Sequence, residues 1–333
     1  MGMSTEEPRV RPPTLSQVAA RAGVSLKTAS RALNGEPYVS GATEQRVRAA
    51  ADELGYRLNG LARELRTGAT SALVGLVSGD LANPFYSAVA SGVERELRRC
   101  GLLLVTVNND ENGELESSLV EALVERRVRA LLVVPSGGNI VANSHNIPFV
   151  FIDRPPVGLV ADSVLIDNAG GARAAAEHLL AGGHRRIALV ADLVRTASQQ
   201  ARINGFSAAM RSAGNVDWEP YLRTDVHDAA TAGRVVSELL ALPEPPTALF
   251  TTNNRLTIGA LRALRGRRLQ PALVGFDDFE LADVLGLTVV SHDTAELGST
   301  AARMAFERIG GYSGPPRTVV IPTTLIPRGS GER

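Results

Sequence analysis

Two sets of residues in this 333-residue chain have the types and spacing to do chemistry. The first is the stretch VSLKTASRALN at 24–34. It contains Lys27, the sole lysine of the chain, with Arg31 one helical turn further on and Ser25, Thr28, Ser30 and Asn34 around them. An Ala- and Arg-rich composition accounts for the scarcity of lysine but not for its place among hydroxyl and amide side chains. Such a surface is rich in donors and suits a polar, acceptor-bearing partner. The second set is dispersed. SGDLANPFY, NND, FIDRP, IDN, TNN, GFDD and SHD all lie at the ends of apolar, strand-like runs. Carboxylates and amides exchange hydrogen bonds with hydroxyls, and a ring covers the apolar face of a sugar. Phe85 and Tyr86 stand beside Asn83 in a chain with 4% aromatics. One polar cluster at a strand end is ordinary loop chemistry, whereas several on successive strand ends suit a polyhydroxylated ligand.

The elements that must position the first set are three short helices. Thr14 precedes LSQVAARAG with Gln17 three positions on, the spacing of a capping box. Leu15, Val18, Ala19 and Ala22 share one helical face, and Gly23 ends the helix. Ser25 caps a second helix that runs through Asn34 and closes at Gly35. A third begins after VSGAT, carries Val47, Ala50 and Leu54 on one face, and stops at Gly55. The link AGVS is the tight, Gly-containing turn of a helix-turn-helix. Ala29, Ala32 and Leu33 then face inward beside Val24, and Leu26, Lys27, Ser30, Arg31 and Asn34 face out. This periodicity would describe any three-helix bundle equally well. The following segment, RLNGLARELRTGATSA, reads as a linker with a short helix candidate, too short to be stable alone in water.

From residue 72 apolar runs alternate with amphipathic helices: ALVGLV, LLLVTV, ALLVVP and FVFID, then RIALVA, TALFTT, ALVGF and TVVS. Continuous apolar strands between helices predict parallel sheets covered on both faces. The length suits two doubly wound lobes, in which ligands bind at the carboxyl ends of the strands. The expected organisation is a flexible tail (1–13), a helix-turn-helix headpiece (14–58), a hinge or linker (59–70) and a two-lobed α/β unit (71–333).

Composition excludes some function classes. The chain carries 35 Lys and Arg against 35 Asp and Glu, so its overall charge implies no polyanionic partner. Residues 1–69 hold ten basic and seven acidic side chains, a surplus of +3, which permits a nucleic-acid-facing N-terminus. Cys100 is the one cysteine, read as a buried, inert thiol in a reducing compartment. The N-terminus lacks an apolar signal region, and the longest apolar runs fall far short of the ~20 residues of a membrane span. A soluble cytoplasmic protein is expected.

The motifs TLSQVAARAGVSLKTASRALNG and VSGATEQRVRAAADELGYRLNGLARELRTGAT resemble the headpiece and hinge of the lactose/galactose repressor (LacI) family. VGLVSGDLANPFYSAVASGVERELRRCGLLLVTVNND, FVFIDRP, IDNAGGARAAAEHLLAGGHRRIALV, ARINGFSAAM, PTALFTTNN and ALVGFDDFELAD resemble its ligand-binding core, which is similar to periplasmic sugar-binding proteins of type I. The resemblance runs from about Thr14 to about Arg328. It implies a homodimeric transcriptional regulator, a repressor, that binds a pseudo-palindromic operator in double-stranded DNA under the control of a small carbohydrate-like effector. Leu26, Lys27 and Arg31 match major-groove readers. Thr14, Ser25, Thr28, Ser30, Asn34 and Tyr56 match positions that hold or border phosphates. Leu65 matches a leucine that wedges into the minor groove, flanked by Ala62, Arg63 and Arg66. Asn83, Phe85, Tyr86, Asp153, Arg154, Arg202, Asn253 and Asp277 match effector-pocket positions. No cofactor or metal is implied.

The chain departs from the family in three places. SHDTAEL, with His292 and Asp293, replaces the usual glutamine and frequent proline after the last core strand. Thr196 stands near the position of an arginine used by a purine repressor, which disfavours a purine. The C-terminus LIPRGSGER lacks a leucine-heptad tetramerisation helix, so a dimer is expected. The rival readings are a transport-associated sugar-binding protein, which would need a signal or anchor and no headpiece, and a carbohydrate-active enzyme. For the latter the chain has no Walker A loop, G-x-G-x-x-G or G-x-S-x-G, its five histidines lack metal-ligand spacing, and only Asp277–Asp278 offers an acid/base pair.

Overall fold

The computed structural model describes residues 13–57, 71–137, 147–214, 218–267 and 270–332. The chain divides into two compact units, Met1–Ser71 and Ala72–Arg333.

The first unit holds α1 (Leu15–Ala22), α2 (Leu26–Asn34) and α3 (Gly41–Leu54). Each helix starts and stops for a local reason. Thr14 and Gln17 form a reciprocal capping box on α1, and Ser25 accepts from the Thr28 amide to cap α2. Gly23, Gly35 and Gly55 close the three helices in the left-handed conformation. α3 begins earlier than the apolar pattern suggests, because Ser40 caps it through the Thr43 amide and VSGAT itself supplies the first turn. Val18, Ala19, Ala22, Ala29, Ala32, Val47, Ala50 and Ala51 form the core, with Leu15, Val24, Leu33, Leu54 and Tyr56 packed at its edge. The predominance of alanine lets three short helices approach closely.

The second unit runs β1 (Leu73–Ser78), α4 (Pro84–Arg99), β2 (Leu103–Asn108), α5 (Gly113–Glu125), β3 (Leu131–Val133), β4 (Phe149–Asp153), β5 (Asp162–Ile166) and α6 (Asn168–Ala181). It continues with β6 (Ile187–Val190), α7 (Ala197–Ser212), β7 (Leu222–Arg223), α8 (Ala229–Leu239), β8 (Ala248–Thr251), α9 (Asn254–Leu264), β9 (Ala272–Phe276) and β10 (Thr288–His292). It ends with α10 (Thr294–Ile309), β11 (Thr318–Ile321) and β12 (Thr323–Ile326). Two six-stranded sheets result, ordered β11-β5-β4-β3-β1-β2 and β12-β10-β9-β8-β6-β7. The first is wholly parallel; in the second β12 alone is antiparallel, against β10. Central strands such as FVFID and ALVGF are buried on both faces, which is why they read as unbroken apolar runs.

The chain passes between the lobes after β5, after β10 and between β11 and β12. Asp167 and Asp293 cap the helices that follow the first two crossings. α10, β11 and β12 lie beyond the last run that the periodicity identifies. α10 buries small residues, Gly298, Ala301, Ala302 and Ala305 among them, and β11 is half exposed at a sheet edge, so neither gives a strong apolar signature. α10 packs on α4 in the first lobe, where Gly92 and Gly298 permit close approach: a Cβ at Gly92 would meet the Ala295 carbonyl at 2.3 Å. Cys100 is only half buried, a correction to the expectation, because it sits at the C-cap of α4 where the helix leaves the core. Among the described residues no helix is long and apolar enough to cross a membrane.

Candidate ligand cleft and recognition helix

The carboxyl ends of the strands converge on a narrow cleft between the lobes. All eight core residues singled out from the sequence line it: Asn83, Phe85, Tyr86, Asp153 and Arg154 from the first lobe, and Arg202, Asn253 and Asp277 from the second. Asp80, Glu111, Asp192, Ser198, Gln199, His227 and Arg255 complete the lining. Asp80 lies within the strand-end motif SGDLANPFY, whereas Glu111, Asp192, His227 and Arg255 were not singled out from the sequence. Ser198 and Gln199 lie in the first turn of α7, which begins four residues ahead of the apolar pattern ARINGF.

In the first lobe Asn83 caps α4 by accepting from the Phe85 amide, which fixes Phe85 and Tyr86 in the cleft wall. Arg154 donates through both terminal nitrogens to Glu111, at 2.6 and 2.9 Å, and also to the Pro135 carbonyl and the Tyr86 hydroxyl. Tyr86 in turn donates to Glu111 at 2.8 Å. Burial alone would raise the Glu111 carboxyl, but the hydrogen bonds and charge of Arg154 hold it below its ordinary value. Burial pushes the Tyr86 hydroxyl well up and also raises Asp153, against the opposing charge of Arg154.

In the second lobe Arg202 donates to Asn168 Oδ1 at 2.7 Å and to the Thr252 carbonyl, and its guanidinium lies 3.6 Å from the centroid of the Phe276 ring. Asp277 Oδ1 is 3.6 Å from Arg202 Nη2 and 4.0 Å from His292 Nδ1. His292 is buried against Phe85 and Phe276; burial holds its imidazole below the ordinary value, opposed by the charge of Asp277. Asp192 accepts from Asn253 at 2.7 Å and pairs with His227 at 2.9 Å, and that hydrogen bond raises His227. Asp277 and Asp278 do not act as a pair. Asp278 is held by both terminal nitrogens of Arg328, away from the cleft that Asp277 faces.

Polar contacts tie the lobes together around the cleft. Arg255 forms an ion pair with Asp80, and Asn254 donates to Asn83 at 3.0 Å. Arg195 donates to the carbonyls of Ser136 and Glu111 at 3.0 and 2.8 Å. Arg195 immediately precedes Thr196, and its guanidinium serves these carbonyls.

On the headpiece, Leu26 and Lys27 are exposed, with Ser30, Arg31 and Asn34 half exposed further along the same stripe of α2. Lys27 forms no ion pair among the described residues, and Arg31 has only a long one, 3.6 Å, to Glu36. Ser25 and Thr28 join hydroxyls at 2.9 Å at the N-terminus of α2, Asn34 donates to Ser30 at 3.4 Å, and Thr14 forms the capping box of α1. Tyr56 is half buried beside the headpiece core. Ala62, Arg63, Leu65 and Arg66 lie outside the described residues.

Residues 14–59 match the family of bacterial regulatory proteins named lacI, and residues 176–331 match a periplasmic binding protein-like domain. The chain is 35% identical over 330 residues to the HTH-type transcriptional regulator PtxS of Pseudomonas aeruginosa, covering 95% of each chain. Its structure resembles that of the lac repressor dimer bound to operator and the anti-inducer ONPF, with a TM-score of 0.81 and 26% identity over 97% of this chain and all of that one. It also resembles the transcriptional regulator CelR in complex with cellobiose, with a TM-score of 0.71 and 31% identity over 96% and 99% of the chains. Headpiece, two-lobed core and their order are shared along nearly the whole length, and the chain belongs to the LacI family of bacterial regulatory proteins.

Proposed function

We propose that this regulator represses transcription as a homodimer whose affinity for a pseudo-palindromic DNA operator is set by a small polyhydroxylated effector held between the two core lobes. The observation that carries the reading is the convergence of eight residues, spread from Asn83 to Asp277, on one polar interlobe cleft in a chain that also bears an exposed Lys27–Arg31 stripe. The cellobiose bound by CelR and the operator bound by the lac repressor support the two ends of it.

In this reading α2 enters the major groove. Leu26, Lys27 and Arg31 touch base edges, with the cations donating to guanine O6 and N7. Thr14, Ser25, Thr28, Ser30, Asn34 and Tyr56 fix the register on phosphates. Leu65 with Ala62, Arg63 and Arg66, in the hinge at 59–70, wedges the minor groove at the operator centre. Effector binding changes the angle between the lobes and thereby the state of the hinge, and a coupling of roughly 1–3 kcal/mol would alter operator affinity about 5–150-fold. Asn83, Phe85, Tyr86, Asp153, Arg154, Arg202, Asn253 and Asp277 are the effector contacts. The cycle is one of binding only and contains no catalytic step.

Selection of binding sites from a random DNA pool tests the reading. The full-length protein should enrich one two-fold-related sequence, and a polyol that stabilises the protein against heat should change its retention of that sequence. Absence of any enriched sequence would end the operator reading. Enrichment that no polyol alters would end the effector reading alone.

A further inference from the structure

The lobes meet at one place that no effector contact explains. Arg195 lies in the loop after β6 of the second lobe, is exposed, and stands outside the cleft lining. Its two terminal nitrogens both go to backbone carbonyls of the first lobe, Ser136 at 3.0 Å and Glu111 at 2.8 Å. These carbonyls come from separate loops, after β3 and after β2, and must be held side by side to receive one guanidinium.

The first lobe is built to present that pair. Glu116, wholly buried in the first turn of α5, accepts through Oε2 from the Ser136 amide at 2.6 Å and from Asn109 Nδ2 at 3.0 Å. Asn109 Oδ1 accepts in turn from the Glu111 amide at 3.0 Å. Asp110 and Glu111 are consecutive left-handed residues, φ 50° and 56°, a conformation that non-glycine residues keep only where their surroundings impose it. One buried carboxylate thus fixes both acceptors, Ser136 directly and Glu111 through Asn109.

Topology gives the contact leverage. The chain crosses between the lobes after β5, β10 and β11, strands that lie at one edge of each sheet. Arg195 follows β6, beside the opposite edge of the second sheet, and Glu111 follows β2, the opposite edge strand of the first. Lobes joined along one side open about that side, and atoms on the free side move furthest. The Arg255–Asp80 pair also bridges the lobes, but both residues line the cleft and meet whatever fills it.

We propose that Arg195 is a latch, a positioning residue that holds the lobes closed across their free side without touching a ligand, in a socket preset by Glu116. The proposal concerns the ligand-free protein and stands whether or not the cleft takes a sugar. Glu111 links the socket to the cleft, because its carbonyl takes Arg195 while its carboxylate holds Arg154 and Tyr86.

Hydrogen–deuterium exchange of the full-length, ligand-free protein tests it in the parent, Arg195→Met and Arg195→Lys. Met keeps an unbranched apolar stem and removes every donor, whereas Lys restores a cation without the two-pronged fork. A latch acts at a distance. Arg195→Met should speed exchange on the order of 10-fold in the remote interlobe segments 80–83 and 253–256 as well as at 109–112 and 135–137. The central strands β4 and β9 should keep the parent's rates, and Arg195→Lys should recover part of the lost protection. Faster exchange confined to 109–112 and 135–137 would reduce Arg195 to a local loop contact and overturn the proposal, as would parental rates throughout. Should Arg195→Met fail to fold, Arg195→Lys decides alone: with one bond of the two lost, remote exchange must still rise severalfold, and parental rates there would overturn the latch.

Discussion

Lys27 and Arg31 carry the DNA-reading proposal with little competing chemistry of their own, since one is unpaired among the described residues and the other has a 3.6 Å contact in solvent. Lys27→Ala or Arg31→Ala should cost roughly 1–3 kcal/mol on the selected operator and relax base preference at one position. Binding to unrelated DNA should fall less, as competition gel shifts would record; an equal loss on all sequences would make them phosphate contacts instead. His292 is the opposite kind of residue, buried with its imidazole held below the ordinary value of 6.5, chiefly by burial. Asp277, Asp153 and Asp293 oppose that shift and Arg202 adds to it. Below the ordinary value the unfolded chain takes up a proton that the folded chain refuses, so this contribution to stability is lost as pH falls. One such group changes the slope by at most about 1.4 kcal/mol per pH unit. His292→Gln should therefore flatten the stability profile between pH 7.5 and 5.5, read from urea unfolding. An unchanged profile would place the acid sensitivity elsewhere.

Among the elements, α4 and α10 decide how the first lobe is held, because one opens the cleft wall at Asn83 and the other is the helix that returns from the second lobe. Their contact is glycine-made. A Cβ at Gly92 would lie 2.3 Å from the Ala295 carbonyl, and one at Gly298 would lie 2.2 Å from the Val89 carbonyl. Backbone atoms cannot yield as a side chain tip does, so Gly92→Ala should force the helices apart. The gain in helix propensity, about 1 kcal/mol, is smaller than the overpacking cost of about 1–3 kcal/mol. A net loss of stability in urea unfolding is expected, whereas a net gain would show that the pair separates freely. Tyr86 and Phe85 ride on α4, so ligand affinity should fall with it.

At the scale of the whole molecule, the face at which two copies are expected to meet is the exposed apolar surface around Leu281. Leu281, Val284 and Leu285 are 58, 78 and 50% exposed, and Leu281 and Leu285 flank a groove that is also lined by Ile258 and Leu261 of α9. Large apolar side chains clustered on one face are costly in water and are the usual material of a homodimer interface. Leu281→Glu with Leu285→Glu should yield monomers in sedimentation at concentrations where the parent is dimeric. Operator affinity should drop steeply, since each half-site would then be held by a separate molecule. A dimer that survives both substitutions would move the interface to another face.

The sequence by itself determined what depends on near neighbours. Thr14 with Gln17, Ser25 with Thr28, and Gly23, Gly35 and Gly55 set the headpiece helices because capping acts over three or four residues. Unbroken apolar runs foretold parallel, doubly covered strands, and the polar ends of those runs held seven of the eight principal cleft residues; Arg202, inside α7, and the eight as a set were implied by the family resemblance. Only the tertiary structure decided which charges meet. Arg154 is separated from Glu111 by 43 residues and Arg202 from Asn168 by 34, and nothing local distinguishes these partners from other acids and amides. The late segment from α10 to β12 was equally illegible, since its small residues and edge strands acquire meaning only when the chain crosses between lobes. The left-handed aspartates at Asp153 and Asp277 belong to the same class: their backbone angles depend on how each strand end is held by the packed lobe around it, and short-range propensity carries no information about that packing.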